Sequence, residues 1–189
     1  VSDGASPAVR RTDGEEGTLA QIREIGYGKE ESDIRSGGMS SHLDRARSYE
    51  EKVGKQIPEG QKCVFHLIPE VGWMNDPNGF SLYRGEYHLF YQYHPYSSVW
   101  GPMHWGHQKT RDFIKWEQLP CALAPDTEYD GQGCFSGSAV EHEGKHILMY
   151  TGVLDRVEAD GSHTLRQTQC IAVGDGVNYE KLPANPVIT

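Results

Sequence analysis

The chain has 189 residues, of which 37% are hydrophobic, 24% charged and 10% aromatic, a composition typical of a globular protein with an apolar core. Its 27 acidic and 18 basic residues give a formal net charge of -9, which argues against nucleic acid or an anionic membrane as a partner held by charge. No apolar run is long enough to span a bilayer, and no segment has the order of a secretory signal, so we expect a cytoplasmic protein.

The first forty residues differ in composition from the rest of the chain. Residues 1–40 are poor in large apolar side chains and rich in glycine and charge, so they are predicted to be a disordered tail or an extension. Met39, at the end of this segment, is a candidate initiator.

Residues 41–60 are predicted to form a short leading helix and a linker. Ser40 or Ser41 is a suitable N-cap, and Pro58 and Gly60 break the chain after the helix. The helical pattern comes from three apolar residues with charged residues between them. These are Leu43, Ala46 and Val53.

From residue 61 onward the sequence consists of short runs of β-branched and aromatic residues punctuated by Gly, Pro or Asp. This pattern predicts antiparallel strands, and the absence of long amphipathic helices between them favours an all-β architecture over a parallel α/β sheet. The predicted strands are residues 80–83, 87–93, 105–110, 139–141, 146–151 and 169–173.

An internal repeat runs through this part of the chain. Residues 79–91 resemble residues 138–150, and residues 112–117 resemble residues 175–180 in the same order. Two units of about 60 residues, each a hairpin followed by two more strands, predict two blades of a β-propeller, although hairpins also resemble one another by chance. Because closed propellers have about four to eight blades, we expect the chain to be the N-terminal part of a larger protein.

Residues 73–79, with the sequence WMNDPNG, contain the most informative motif. Its local chemistry is that of a turn, in which Asp76 would cap the backbone. The functional alternative places Asp76 in an aromatic-lined pocket, because a Trp, a Met and an Asn directly precede it. Gln92 and Trp100 would add an amide and a stacking surface, which are parts that a carbohydrate site needs.

Four segments in order closely resemble the motifs of glycoside hydrolase family 32, which includes invertases, sucrose-6-phosphate hydrolases, levanases and inulinases. The resemblance covers about residues 41–189, including a helical segment, residues 46–51, that precedes the motif in bacterial sucrose-6-phosphate hydrolases. It implies a five-bladed propeller followed by a β-sandwich, of which residues 61–189 would hold about the first two blades and none of the sandwich. The four segments are residues 73–79, 92–95 (QYHP), 100–107 (WGPMHWGH) and 135–138 (FSGS).

The resemblance also implies a reaction and a set of site residues. Asp76 would be the nucleophile of a retaining mechanism that hydrolyses terminal β-D-fructofuranosyl residues from sucrose or sucrose 6-phosphate, without a cofactor. Asn75 and Gln92 would bind fructose hydroxyls, and the others would shape the wall of the pocket. The substrate-binding residues would be Trp73, Met74, Asn75, Gln92, Trp100, Phe135 and Ser136.

Two further family motifs are absent from the 189 residues: an Arg-Asp-Pro segment with a stabilising Asp, and a Glu-Cys segment with the general acid/base. The chain alone is therefore expected to be inactive. An exo-acting fructan hydrolase, a fructosyltransferase and a non-catalytic sugar-binding fragment remain alternatives. No basic cluster near the motifs decides between sucrose and sucrose 6-phosphate, and the oligomeric state is left open.

Other polar residues are interpreted as structural. Asp112 is expected to be a turn residue, and Cys134 a buried thiol, in a chain whose four cysteines are expected to be free. Three acidic residues are expected in a solvated loop, and three histidines are expected to pack or to form hydrogen bonds without binding a metal. The acidic residues are Asp126, Glu128 and Asp130, and the histidines are His94, His104 and His107.

Overall fold

The computed structural model describes residues 40–63 and 65–189, so the predicted tail lies outside the described residues except for Ser40. Helix α1 spans Ser41–Gly54 and begins where the Ser40 hydroxyl accepts the Leu43 N–H at 3.1 Å. Ser40 is therefore the N-cap, as one of the two predictions has it. A 3-10 turn, Glu59–Gln61, follows the helix. Within the described part of the chain, no helix has the length and apolar character that crossing a membrane requires.

Within the described residues, eight strands form two four-stranded antiparallel sheets, each in simple chain order. The all-β prediction is therefore confirmed, and so is the division into two hairpin-led repeats. The first sheet contains β1 (Trp73–Tyr83), β2 (Glu86–His94), β3 (His104–Thr110) and β4 (Glu117–Leu123). The second contains β5 (Gly133–His142), β6 (Lys145–Val157), β7 (His163–Gly174) and β8 (Tyr179–Lys181).

The two sheets repeat each other in detail. The β1–β2 and β5–β6 hairpins turn at Gly85 and Gly144, whose φ angles of 80° and 73° favour glycine. Asp112 and Asp175 each accept the backbone N–H groups two and three residues further on, at 2.8–2.9 Å. Asp112 is therefore the structural turn residue that the sequence predicts, and it has a counterpart in the second sheet.

Several predicted strand limits are wrong. Residues 73–79, predicted as a turn, are part of β1, and β6 continues past its predicted end at residue 151 as far as Val157. The repeat predicts a fourth strand in each unit, but the positions of these two strands, β4 and β8, were not predicted. Strand β4 contains Pro120 and lies at an edge of its sheet, where a missing N–H is tolerated, while β8 has only three residues.

The main core lies between the two sheets and is built from aromatic side chains. Phe90 and Trp105 of the first sheet pack against Leu148 and Tyr150 of the second, all of them fully buried. Strands β1 and β5 approach closely, because a Cβ atom added to Gly79 would lie 3.1 Å from the Cβ atom of Ala139. The first strands of the two sheets are therefore neighbours.

Helix α1 covers the edge strand β4 with side chains that bond to its backbone. At Cys121, Arg47 Nε donates to the carbonyl at 2.9 Å, and the N–H donates to Glu50 Oε2 at 3.0 Å. Both backbone groups of this residue are thus satisfied without a neighbouring strand, which removes part of an edge that could pair with another chain. Burial raises the pKa of the Glu50 carboxyl to about 7, against the lowering effect of the Cys121 N–H.

Replacement of Glu50 by alanine is expected to lower the free energy of unfolding by about 2 to 3 kcal/mol, because the buried Cys121 N–H would lose its acceptor. Glu50→Gln keeps an acceptor oxygen and is expected to be close to the wild type. Urea unfolding monitored by tryptophan fluorescence measures both. The control is Glu51→Ala, which removes only an exposed pair with Lys55 and should change little. Equal destabilisation by the Ala and Gln variants of Glu50 would contradict this role.

Candidate active site

The predicted site residues of β1 lie on a β-bulge. Asn75 and Asp76 together oppose a single residue of β2, Gln92, because the register shifts by one residue at this point. Such bulges bend a strand and change the direction of its side chains. Pro77 is accommodated because β1 is an edge strand. The segment is therefore a bulged strand and not the turn that its residue types favour, so the alternative in which Asp76 caps a turn does not hold.

The same irregularity occurs in the second sheet. The register of β5 and β6 shifts between Phe135 and Gly137, so Ser136 is the extra residue. The residue opposite the bulge is Gln92 in the first sheet and Thr151 in the second. Each of the two lies the same number of residues after the glycine of its hairpin turn, Gly85 or Gly144. Residues 75–76 and 135–136 therefore occupy the same bulge in the first strand of each sheet, and sequence reasoning had selected both pairs.

Hydrogen bonds between the sheets join the two bulges. The Gln92 side-chain amide donates to the Cys134 carbonyl at 3.1 Å, and the Trp105 indole N–H donates to the Phe135 carbonyl at 3.2 Å. The Trp100 ring meets Phe135 edge-on, with centroids 6.5 Å apart. Gln92 is buried, so its amide nitrogen ties the sheets together in this structure.

At the start of β1, the Trp73 indole N–H donates to Asn75 Oδ1 at 2.8 Å. This bond fixes the Asn75 amide and leaves its NH₂ group as a donor for a ligand. Met74 packs against the cluster beneath α1, where it fixes the strand. Trp100 is 58% exposed and offers an apolar face to a ligand.

The Asp76 carboxylate is exposed, and within residues 40–63 and 65–189 no hydrogen bond or ion pair engages it. Both carboxylate oxygens are therefore available to an electrophilic carbon. An exposed carboxylate that shares a bulge with an amide side chain can act as a nucleophile towards the anomeric carbon of a sugar.

The histidines near the motif do not converge. The His104 Nδ1 atom lies 3.0 Å from the Pro102 carbonyl, and burial lowers the pKa of His104 to about 4. His107 pairs with His88, with 2.8 Å between Nε2 and Nδ1. Packing and hydrogen bonding are thus confirmed as the roles of these two rings. In the described residues, no three His, Cys, Asp or Glu side chains form a group that could hold a metal ion.

The prediction of a solvated acidic loop is wrong for two of its three members. Asp130 is completely buried, and the Asp126 side chain is nearly so, because both pair with Lys181. No local pattern indicated this, since Lys181 lies far along the chain. Cys134, next to the loop, is confirmed as a buried thiol, and burial raises its pKa well above the ordinary value. All four cysteines are free.

A cavity of about 440 Å³ lies elsewhere, between the linker after α1 and the strands β3 and β4. It is lined by linker residues such as Lys62 and Phe65 and by Gln108, Trp116 and Gln118 of the sheet side. None of the predicted site residues lines it. The cavity therefore does not belong to the site around Asp76.

Residues 66–189 match the model of the glycosyl hydrolases family 32 N-terminal domain. The chain is 47% identical over 142 residues to a sucrose-6-phosphate hydrolase of Zymomonas mobilis, which covers 74% of this chain and 28% of that protein. It is also 51% identical over 118 residues to a sucrose-6-phosphate hydrolase of Escherichia coli. This alignment covers 62% of this chain and 25% of that protein. The chain thus spans less than a third of the length of these relatives.

Solved structures give the same result for the fold. A β-fructofuranosidase variant of Bombyx mori in complex with sucrose aligns with a TM-score of 0.70 and 42% identity, covering 80% of this chain and 31% of that one. A sucrose-6-phosphate hydrolase of Lactobacillus gasseri aligns with a TM-score of 0.59 and 33% identity, covering 82% of this chain and 30% of that one. Structural relatives of this family are β-propellers, and the two sheets correspond to two of their blades.

Proposed function

The chain belongs to glycoside hydrolase family 32, and we propose that it forms the fructose-binding part of an enzyme that hydrolyses terminal β-D-fructofuranosyl residues from sucrose or sucrose 6-phosphate. The observation that carries the proposal is the pair of equivalent bulges. They bring Asp76 of the first blade and Ser136 of the second to the same end of two neighbouring strands. Residues 41–189 would be the leading helix, the linker and the first two blades of the catalytic propeller.

In the proposed reaction, an Asp76 oxygen attacks the anomeric carbon while the bond to the leaving oxygen breaks. The leaving oxygen takes its proton from a general acid supplied by the remainder of the protein, and the result is a fructosyl ester of Asp76. Water then gives a proton to the conjugate base of that acid and attacks the same carbon, which breaks the ester bond to Asp76, so that the configuration is retained overall. The Asp76 carboxylate supports this role, because among the described residues it has no internal bond that would have to break first.

The neighbouring side chains would hold the sugar ring for this attack. The Asn75 amide, oriented by Trp73, would donate to a fructose hydroxyl. Trp100 and Phe135, which meet edge-on, would supply an apolar wall for the C–H faces of the sugar. A neutral sugar substrate also fits the acidic balance of the chain.

The test uses the intact enzyme, by which we mean the protein encoded by the complete reading frame that contains this chain. We expect it to release fructose from sucrose or sucrose 6-phosphate, with kcat/KM measured for both sugars and for a fructan. The 189-residue chain is the control and should release none, since protonation of the leaving group would lack its acid. Sugar binding by a folded intact protein without fructose release would contradict hydrolysis and support the non-catalytic alternative.

A further inference from the structure

A single buried lysine holds the loop that joins the two sheets. Residues 124–132 connect β4 to β5 and lead directly into Phe135 and Ser136. Lys181, on β8, donates to the Ala124 carbonyl at 2.7 Å and to Asp130 Oδ2 at 2.6 Å. It also pairs with Asp126. The Lys181 side chain is only 12% exposed, so one ammonium group binds three oxygens of this loop away from solvent.

The Asp130 carboxylate, which is completely buried, uses both of its oxygens. Oδ1 accepts the backbone N–H groups of Asp126 at 3.0 Å and Thr127 at 2.9 Å. Oδ2 accepts the Tyr150 hydroxyl at 2.8 Å as well as the Lys181 ammonium. The bonds to Lys181 and Tyr150 therefore fix the loop to β8 and β6, and the bonds to its own backbone fix its shape.

The charge on Lys181 is maintained in this setting. Burial alone would lower the pKa of its ammonium group, but the negative charges of Asp130 and Asp126 hold the pKa above its ordinary value. A buried ion pair adds little net stability compared with apolar packing, whereas its directed hydrogen bonds restrict geometry. Geometry is therefore the property that this cluster is suited to control.

The restrained loop is connected to the site bond by bond. The Gly133 N–H donates to the Asp130 carbonyl at 2.8 Å, and the Cys134 N–H donates to the Met103 carbonyl at 2.8 Å. The Phe135 carbonyl then accepts from Trp105. Lys181 thus anchors the beginning of this segment, and the first sheet anchors its end.

We propose that Lys181 is a positioning residue for the fructose subsite, which sets the place of Phe135 and Ser136 relative to Asp76 by holding the loop 124–132. The proposal rests on the proposed function for its effect on catalysis, while its structural part can be tested independently. Lys181 itself does not touch the sugar; it acts through Asp130 and the start of β5.

In the intact enzyme, Lys181→Met is expected to raise KM for sucrose about tenfold, with a smaller change in kcat, because displaced Phe135 and Ser136 would bind the sugar less well before and during reaction. The matched control is Lys109→Met. Lys109 also pairs with two carboxylates, Glu86 at 3.1 Å and Glu117 at 3.5 Å, and is 20% exposed. It contacts none of the site residues, so its replacement should leave KM unchanged.

A second measurement reports the position of the segment directly. In protein labelled with fluorotryptophan, the ¹⁹F resonances of Trp100 and Trp105 should shift in Lys181→Met, because both side chains contact Phe135. Trp116, which precedes β4, should keep its resonance and serves as an internal reference. Assignment by single Trp→Phe replacements identifies each signal.

Lys181→Met leaves the buried Asp130 carboxylate without its cation, which can prevent the single variant from folding. The double variant Lys181→Met/Asp130→Asn removes both charges and is used if the single variant does not fold. A double variant with wild-type thermal stability but raised KM and shifted Trp100 and Trp105 signals supports positioning. Recovery of stability, KM and both signals together overturns it. Shifted signals in a protein that never hydrolyses sucrose would contradict the proposed function and leave the positioning role intact.

Discussion

Replacing Asp76 with asparagine is expected to reduce kcat of the intact enzyme by at least about three orders of magnitude, the scale seen when a nucleophile is removed. The amide has the size of the carboxylate but cannot form the fructosyl ester. Because Asp76 is exposed and makes no hydrogen bond or ion pair within the part of the chain that the structure describes, its replacement should leave the thermal midpoint nearly unchanged. Steady-state kinetics with sucrose and a thermal melt of the same preparation measure the two effects.

The control for Asp76→Asn is Glu180→Gln, which removes an exposed carboxylate from β8, outside the bulges. It should keep normal kcat. Mass spectrometry of an acid-quenched reaction adds a direct observation, since a fructosyl unit should be attached to the peptide that contains Asp76 and should be missing in the variant. A folded Asp76→Asn enzyme with near-normal kcat would reduce Asp76 to a structural residue of the bulge.

The structure of β1 shows where local sequence chemistry misleads. Asp76, Pro77, Asn78 and Gly79 are the residues of a turn, and we predicted one. Pairing with β2 overrides this preference, and the chain relieves the misfit with two register shifts. The leading helix was predictable because its signals, the Ser40 cap and the buried face, lie within a few residues of one another.

The candidate site also has a part that the sequence indicated and a part that it did not. Asp76, Trp100 and Phe135 were selected as candidates because their residue types resemble family motifs, whatever the fold between them. The buried pair of Asp130 and Lys181 was missed, since 51 residues separate its members. In the sequence Asp130 looks like an ordinary loop aspartate, because its partners on β6 and β8, Tyr150 and Lys181, are far along the chain. Contacts between distant segments, which depend on how the sheets stack, are the part that local patterns do not contain.

The sheet interface also buries three histidines that the sequence analysis did not connect. The ring nitrogens of His88 and His107 lie 2.8 Å apart. His146 lies 2.9 Å from the Ser81 hydroxyl and 2.7 Å from that of Tyr179, and its ring centroid is 5.0 Å from that of His88. Burial lowers the pKa of all three, that of His146 to about 3.

These histidines are expected to make the chain unstable in mild acid. Each histidine has a folded-state pKa below the ordinary value of 6.5. Its contribution to the free energy of unfolding is therefore fully present above pH 6.5. Below that pH the unfolded state takes up protons that the folded state does not, and the contribution is lost. At pH 4.5, His146 alone would account for about 2 to 3 kcal/mol. The raised pKa of Glu50 has the opposite sign, since protonation between pH 7 and 4.5 favours the folded state, and it offsets part of the loss.

A histidine variant separates these contributions. His146→Gln should be less stable than the wild type at pH 7, because glutamine replaces two hydrogen bonds imperfectly. Between pH 7 and 4.5, however, its free energy of unfolding should fall by about 2 to 3 kcal/mol less than that of the wild type, as urea unfolding at several pH values would show. His142→Gln, at an exposed position, should follow the wild-type curve. Parallel pH curves for His146→Gln and the wild type would mean that the acid sensitivity of the sheet interface comes from other groups.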